Sequence, residues 1–158
     1  MFEAIHTGHS VYATFHANTA HETIQRLINP PIDVPKSMLP AISMIIMQFR
    51  NRRTGNRRTF QIAEILPDAT ANVLMQYDSK KDSLIEVGKS KALLNTLKLF
   101  TGFTDSDIKK DLAEKELILK YLVKNNIDSV DDVGRVMAEY YTNKKNLMIY
   151  VKQNKKVV

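Results

Sequence analysis

The hydrophobic period changes along this chain, and that change constrains the fold more than any other feature. Val11-Tyr12-Ala13-Thr14-Phe15-His16 alternates, with Val11, Ala13 and Phe15 on one face and Tyr12, Thr14 and His16 on the other. Period two predicts a strand. Thr19-Ala20-His21-Glu22 then has capping-box spacing, and the helix it opens carries Ile24, Leu27 and Ile28 before Pro30-Pro31 stops it. A second helix is expected over Ser37–Ala41, with Pro40 in its first turn. From about Met44 to Val87 the period returns to two. Ile45, Met47 and Phe49 are answered by Phe60, Ile62 and Glu64 across an Arg-rich turn, and Asn72–Tyr77 and Leu84–Val87 flank Ser79–Asp82. This reads as a pair of β-hairpins.

From Lys89 the period becomes helical. Leu93, Leu94, Leu97 and Phe100 share a face, and Gly102 fits a helix stop. Thr104 and Asp107 have capping spacing ahead of Ile108, Leu112, Leu119, Leu122 and Val123. Ser129 and Asp132 repeat the signal ahead of Val130, Val133, Met137, Tyr140 and Tyr141. Three helices are expected, followed by a basic tail over 152–158 that frays. The reading is an α/β chain with a boundary between 88 and 89.

Composition removes several function classes. With no Cys among 158 residues there is no disulfide framework, zinc ribbon or thiol nucleophile. The five glycines are too scattered for a Gly-x-x-x-x-Gly-Lys or Gly-x-Gly-x-x-Gly phosphate cradle. No apolar run reaches the ~18–20 residues needed to span a bilayer, and Met1–Ser10 is not patterned as a signal peptide. The net charge of +6 suits an anionic partner without choosing one.

His16 closes the alternating segment on the same face as Thr14, where an imidazole can donate to a phosphate oxygen or be satisfied by its own backbone neighbourhood. The pairs His6/His9 and His16/His21 lack the acidic or thiolate company of a metal site, so no metal is expected. Arg50, Arg52, Arg53, Arg57 and Arg58 crowd one turn. Arg50 and Arg52 are expected on one face and Arg53 on the other, unless the turn begins there, either clamping phosphates or simply solvating a hairpin tip. With no aromatic residue between Arg50 and Arg58, base stacking has little support. A basic nucleic-acid-binding module using this hairpin is the rival reading, as is a non-catalytic interaction subunit. The two capped helices flanking Asn125–Asp128 could pass for a helix-turn-helix, but the second begins Val130-Asp131-Asp132, acidic where DNA would be met.

Thr7-Gly8-His9, then Thr14-Phe15-His16-Ala17, then Arg26-Leu27, resembles the His box of the secretion ATPase superfamily. These are the hexameric motors of type II and type IV secretion, type IV pili and the archaeal flagellum. The segment Pro31 to Pro35 and the run Arg57-Arg58-Thr59-Phe60-Gln61-Ile62-Ala63-Glu64-Ile65 resemble the archaeal branch, so the likeness is specific over Phe2–Ile65. The resemblance implies that residues 1–88 are the C-terminal part of a RecA-like ATPase domain and 89–158 a helical C-terminal subdomain. In that family the phosphate loop, acidic box and Walker B box precede the His box. ATP and Mg²⁺ would therefore belong to the complete motor, with none held tightly by this chain alone. Carried over, His16 and His9 are the catalytic-site residues near the γ-phosphate, and Thr7, Gly8 and Thr14 shape the nucleotide contact. Arg26 matches the family's Arg and would couple its helix to a subunit contact; Arg50, Arg52 and Arg53, read from the charge of their turn and not from the resemblance, are expected to contact a subunit or phosphate. The implied partners are the upstream part of the same ATPase, copies of itself in a hexamer and a membrane platform protein, with nucleic acid not expected. The implied place is the cytoplasm, peripheral to the membrane.

Overall fold

The computed structural model describes residues 1–155. The chain forms two compact units, one of Met1–Thr101 and one that begins at Gly102. The first is mixed α/β. In order it contains α1 (Phe2–His6), α2 (Ala20–Ile28), a 3₁₀ segment (Lys36–Ala41), strands β1 (Ile45–Arg50), β2 (Arg57–Ile65), β3 (Ala71–Asp78) and β4 (Ser83–Glu86), and α3 (Ala92–Thr101). The four strands make an open antiparallel meander in the order β1-β2-β3-β4.

Helix α2 forms because Thr19 caps it and because Ala20, Thr23, Ile24 and Leu27 repeat at helical spacing. That stripe packs with Leu39 of the 3₁₀ segment and with Ile45, Met47, Ala63 and Ile65 of the sheet. Leu39 and Ala63 are fully enclosed. Ala17 and Phe2 lie against the same core, so the chain on both sides of the first loop is anchored.

The expected partners in β2 shift. Phe60 faces the core as the alternation requires, but the next core-facing residues are Ala63 and Ile65, not Ile62 and Glu64. The register of β2 against β1 slips at Met47/Gln48, which pair with Gln61 and Thr59 and leave Phe60 as the extra residue of β2. One extra residue in a pleated strand exchanges its faces, which explains the change. Glu64 is thereby turned to the opposite side, where α3 begins.

The strand expected at Val11–His16 is absent. The segment is irregular, and among the described residues its backbone pairs with nothing. Tyr12 is 98% exposed, and Ala13 and Phe15 do not reach the core. Alternation marks which side chains would share a face, but a strand also needs a neighbouring ladder to take its N–H and C=O groups.

The second unit contains α4 (Asp105–Lys124), α5 (Val130–Thr142) and α6 (Lys144–Gln153). A full capping box of Thr104 and Asp107 starts α4, and Ser129 accepts from the Asp132 N–H to start α5. Ile118, Tyr121, Leu122, Val136, Tyr140, Leu147 and Val151 form its core. The expected stripe is rotated: Leu112, Leu119, Val123, Val130 and Tyr141 are exposed, while Ile118 and Tyr121 are buried in their place. The cause is α6, which the sequence reading did not separate; Leu147 and Val151 draw the inner face of α4 toward themselves. Lys152 lies in α6, and residues 156–158 of the expected frayed tail lie outside the described residues.

Candidate functional site

Thr7 to Asn18 joins α1 to α2, and its start is defined by the way α1 stops. The Gly8 N–H donates to the Ile5 carbonyl at 3.0 Å and the His9 N–H to the Ala4 carbonyl at 3.0 Å. This pair of bonds is the Schellman arrangement, which needs a left-handed residue after the cap. Gly8 supplies it with φ +85°, and a Cβ there would meet no atom within 4 Å. The constraint on Gly8 is therefore conformational and not one of space. Thr7-Gly8-His9 thus has a structural role that spacing alone did not reveal.

The Thr7 hydroxyl lies 3.1 Å from the Glu3 carbonyl, 3.0 Å from the Ala4 carbonyl and 3.0 Å from His9 Nδ1. The hydroxyl thus links the end of α1 to the His9 ring through Nδ1. That fixes the ring and leaves Nε2 facing solvent. Thr14 and His16 are exposed and have no hydrogen-bond partner among the described residues.

The far end of the loop is held by α2. Glu22 donates its backbone N–H to the Thr19 hydroxyl at 3.0 Å, as the capping spacing predicts. Its carboxylate reaches one residue beyond the expected cap, accepting from the Asn18 N–H at 2.8 Å and from the Asn18 amide at 3.0 Å. The same carboxylate takes Arg26 Nε at 2.8 Å. The Asn18 backbone bond, aided by its amide and Arg26, keeps Glu22 below the usual carboxylate range. Arg26 is therefore oriented but still half exposed. The Ala20 N–H donates to Gln61 Oε1 at 3.1 Å, which ties the loop's exit to the middle of β2.

Arg50, Arg52 and Arg53 lie elsewhere. Arg50 ends β1, while Arg52 and Arg53 belong to the turn and not to an alternating strand. Asn51 organises that turn, its side-chain oxygen accepting from the N–H groups of Arg53 at 2.9 Å and Thr54 at 3.2 Å, with Gly55 at φ +74°. The turn begins before Arg53, which is the case in which the division of these arginines between two sheet faces is not expected. Arg57 is four residues along β2 from Gln61, about 13 Å at strand rise, so the arginine turn and the His loop are separate features.

Sequence reading missed the most committed polar group, Glu64. It is fully buried, and each of its oxygens accepts twice. Oε1 accepts from the Asn72 amide and the Lys91 N–H, both at 2.7 Å, and Oε2 from the Ser90 hydroxyl at 2.8 Å and the Leu93 N–H at 2.9 Å. Burial pushes this carboxyl up, but the amides of Leu93 and Lys91, with Asn72 and Ser90, outweigh it and hold the group at about 2. A carboxylate at the first N–H groups of α3 also complements the helix dipole. Close backbone approach supports the joint: a Cβ on Gly88 would lie 2.3 Å from the Val73 carbonyl oxygen. The available signal was an acidic residue within the apolar run Ile62–Leu66, followed by Ser90 just before a helical run.

Thr7, His9, Thr14, His16 and Arg26 offer hydroxyl, imidazole and guanidinium groups, all able to meet an anionic oxygen. Among the described residues no group of three His, Asp or Glu side chains could hold a metal ion. No described helix is long and apolar enough to cross a membrane.

No protein-family model matches the chain. It is similar to three proteins of Methanocaldococcus jannaschii, each described only as uncharacterised. The first is 34% identical over 143 residues, covering 85% of this chain and 20% of that protein. The second is 31% identical over 147 residues, covering 89% of this chain and 54% of that protein. The third is 26% identical over 151 residues, covering 89% of this chain and 27% of that protein. The chain thus spans from a fifth to about half of the length of these relatives.

Proposed function

We propose that this chain is the His-box portion of a secretion-type motor ATPase of the archaeal branch, its first unit being the C-terminal part of a RecA-like domain. The observation that carries the reading is the segment Val11–Ala17. It has the alternation of a strand, it ends in Thr14-x-His16-Ala17, and its backbone is unpaired among the described residues. Such a segment is what a parallel sheet supplied by upstream residues of the same motor would take in, placing His16 beyond the carboxyl end of a strand, where ligands of α/β sheets sit.

In this reading ATP and Mg²⁺ are held by the phosphate loop and acidic residues of that upstream part. The present chain contributes donors. His16 contacts or senses the γ-phosphate, and Thr14 assists. His9, fixed through Nδ1 by Thr7 and delivered by the Gly8 turn, shapes the same edge. Arg26, steered by Glu22, contacts the neighbouring subunit or the phosphate. Catalysis of phosphoryl transfer depends on positioning and charge stabilisation, so half of such a site does not turn over. The working form is a hexamer at the cytoplasmic face of the membrane, coupled to a platform protein of a pilus, archaeal flagellum or secretion machine.

The pure chain is therefore expected to show no Mg²⁺-dependent ATP hydrolysis above background. Turnover by the pure chain that disappears in His16→Ala would overturn the proposal. The genomic DNA upstream offers a second check: an in-frame Gly-x-x-x-x-Gly-Lys-Ser/Thr is expected there.

A further inference from the structure

The two hairpin turns of the sheet lie at one end. β1 and β2 are joined through 51–56, β3 and β4 through 79–82, and Gln61 pairs with Gln76, so the start of β2 and the end of β3 run out together. Arg58 confirms the juxtaposition by gripping Asp82 with two bonds, Nε to Oδ1 at 2.8 Å and a terminal nitrogen to Oδ2 at 2.7 Å. This sheet end carries Arg50, Arg52, Arg53, Arg57, Arg58, Lys80 and Lys81 against only Asp78 and Asp82. Seven cations against two carboxylates leave +5, nearly all of the +6 carried by the whole chain.

Both carboxylates are already engaged. Asp82 holds Arg58 and accepts from the Tyr77 hydroxyl at 2.7 Å, and Asp78 accepts from the N–H groups of Lys80 at 2.9 Å and Lys81 at 3.3 Å. The side chains of Arg50, Arg52, Arg53 and Arg57 are exposed and have no acidic partner among the described residues. Four uncommitted guanidinium forks on the β1–β2 turn and the strand ends beside it, with Lys80 and Lys81 on the neighbouring turn, are able to meet phosphate oxygens.

We infer that this tip docks on the phosphate face of an anionic lipid bilayer. The rings nearest the tip are unavailable for stacking on bases: Phe49 packs on Phe60 at 5.8 Å and on Tyr77 at 5.1 Å, and Tyr77 is tied to Asp82. Two adjacent turns at one end of a sheet can meet a flat charged surface together. The inference uses only the charge placement and stands apart from the motor reading.

Sedimentation of the full chain with vesicles tests it at fixed moderate salt. Vesicles of roughly one-quarter phosphatidylglycerol in phosphatidylcholine should bind the chain, and pure phosphatidylcholine should not. R52E/R53E should lower partition at least about twentyfold, since each basic side chain near such a surface is worth about fivefold. The charge-matched control K109E/K145E alters exposed lysines of the second unit and should lower partition less than about threefold. Circular dichroism checks that both variants fold. Equal loss in both variants, equal binding to both vesicle types, or no binding at all overturns the proposal. So does tighter binding of a duplex DNA or RNA oligonucleotide at the same salt, if R52E/R53E abolishes it.

Discussion

Glu64 and His16 stand in the same unit and treat their polar chemistry in opposite ways. Around Glu64 every acceptor is filled: four donors converge on a buried carboxylate and lock β2 to the start of α3. Around His16 nothing is filled. Its ring is exposed, its strand-like segment has no ladder, and the ordered groups lie at the edges, in the Thr7-Gly8-His9 turn and the Asn18–Glu22–Arg26 cap. A buried charge is tolerated only when it is fully paired, so a saturated one marks structure. A loop held at both ends with free donors between them has the layout expected of a surface that takes its partner from outside.

The largest effect should come from the saturated side. Glu64→Ala removes the common acceptor of two amides, a hydroxyl and a side-chain amide, and is expected to cost about 3 kcal/mol or more in urea unfolding. The pH dependence carries the same contrast. The folded carboxyl sits at about 2, below the ~4.3 of an unfolded glutamate. Its contribution, about 3 kcal/mol, is present above the unfolded value and is lost as pH falls from about 4.5 to about 2. Glu64→Gln should flatten that part of the stability curve. A curve unchanged by the substitution would show that the charge on Glu64 does not carry the joint.

Gly8→Ala should cost about 1 kcal/mol, because the left-handed backbone is strained for alanine although space is free. A neutral result would mean that the turn is not held as described. The smallest stability effect belongs to His16→Ala, within about 0.5 kcal/mol of wild type by thermal melting, since no described group depends on the ring. A large loss would make His16 structural and erase the contrast.

Much of the fold could be read locally. The caps at Thr19, Thr104 and Ser129 are sequence-local signals and stand where the spacing puts them. The two hairpins stand where the turn residues and the return of period two put them, because those signals act over short distances. What was lost depended on partners. Val11–His16 had the pattern of a strand but no neighbour to pair with. The extra residue at Phe60, opposite Met47 and Gln48, exchanged the faces of β2, which no alternation pattern announces. Leu119 and Val123 seemed equivalent to Leu122 until α6 selected the inner face. The candidate loop was legible as a residue pattern, Thr7 to Ala17, while its rigid ends and the role of Glu64 required the structure.

The most direct measurement of the central claim is ATP turnover with the chain joined to, or co-purified with, the polypeptide that supplies the phosphate loop, comparing wild type with His16→Ala. The account predicts a fall in kcat of at least about tenfold, with KM and the melting temperature little changed, as for a group that acts through the γ-phosphate. Unchanged kcat in a folded, assembled His16→Ala variant would contradict it.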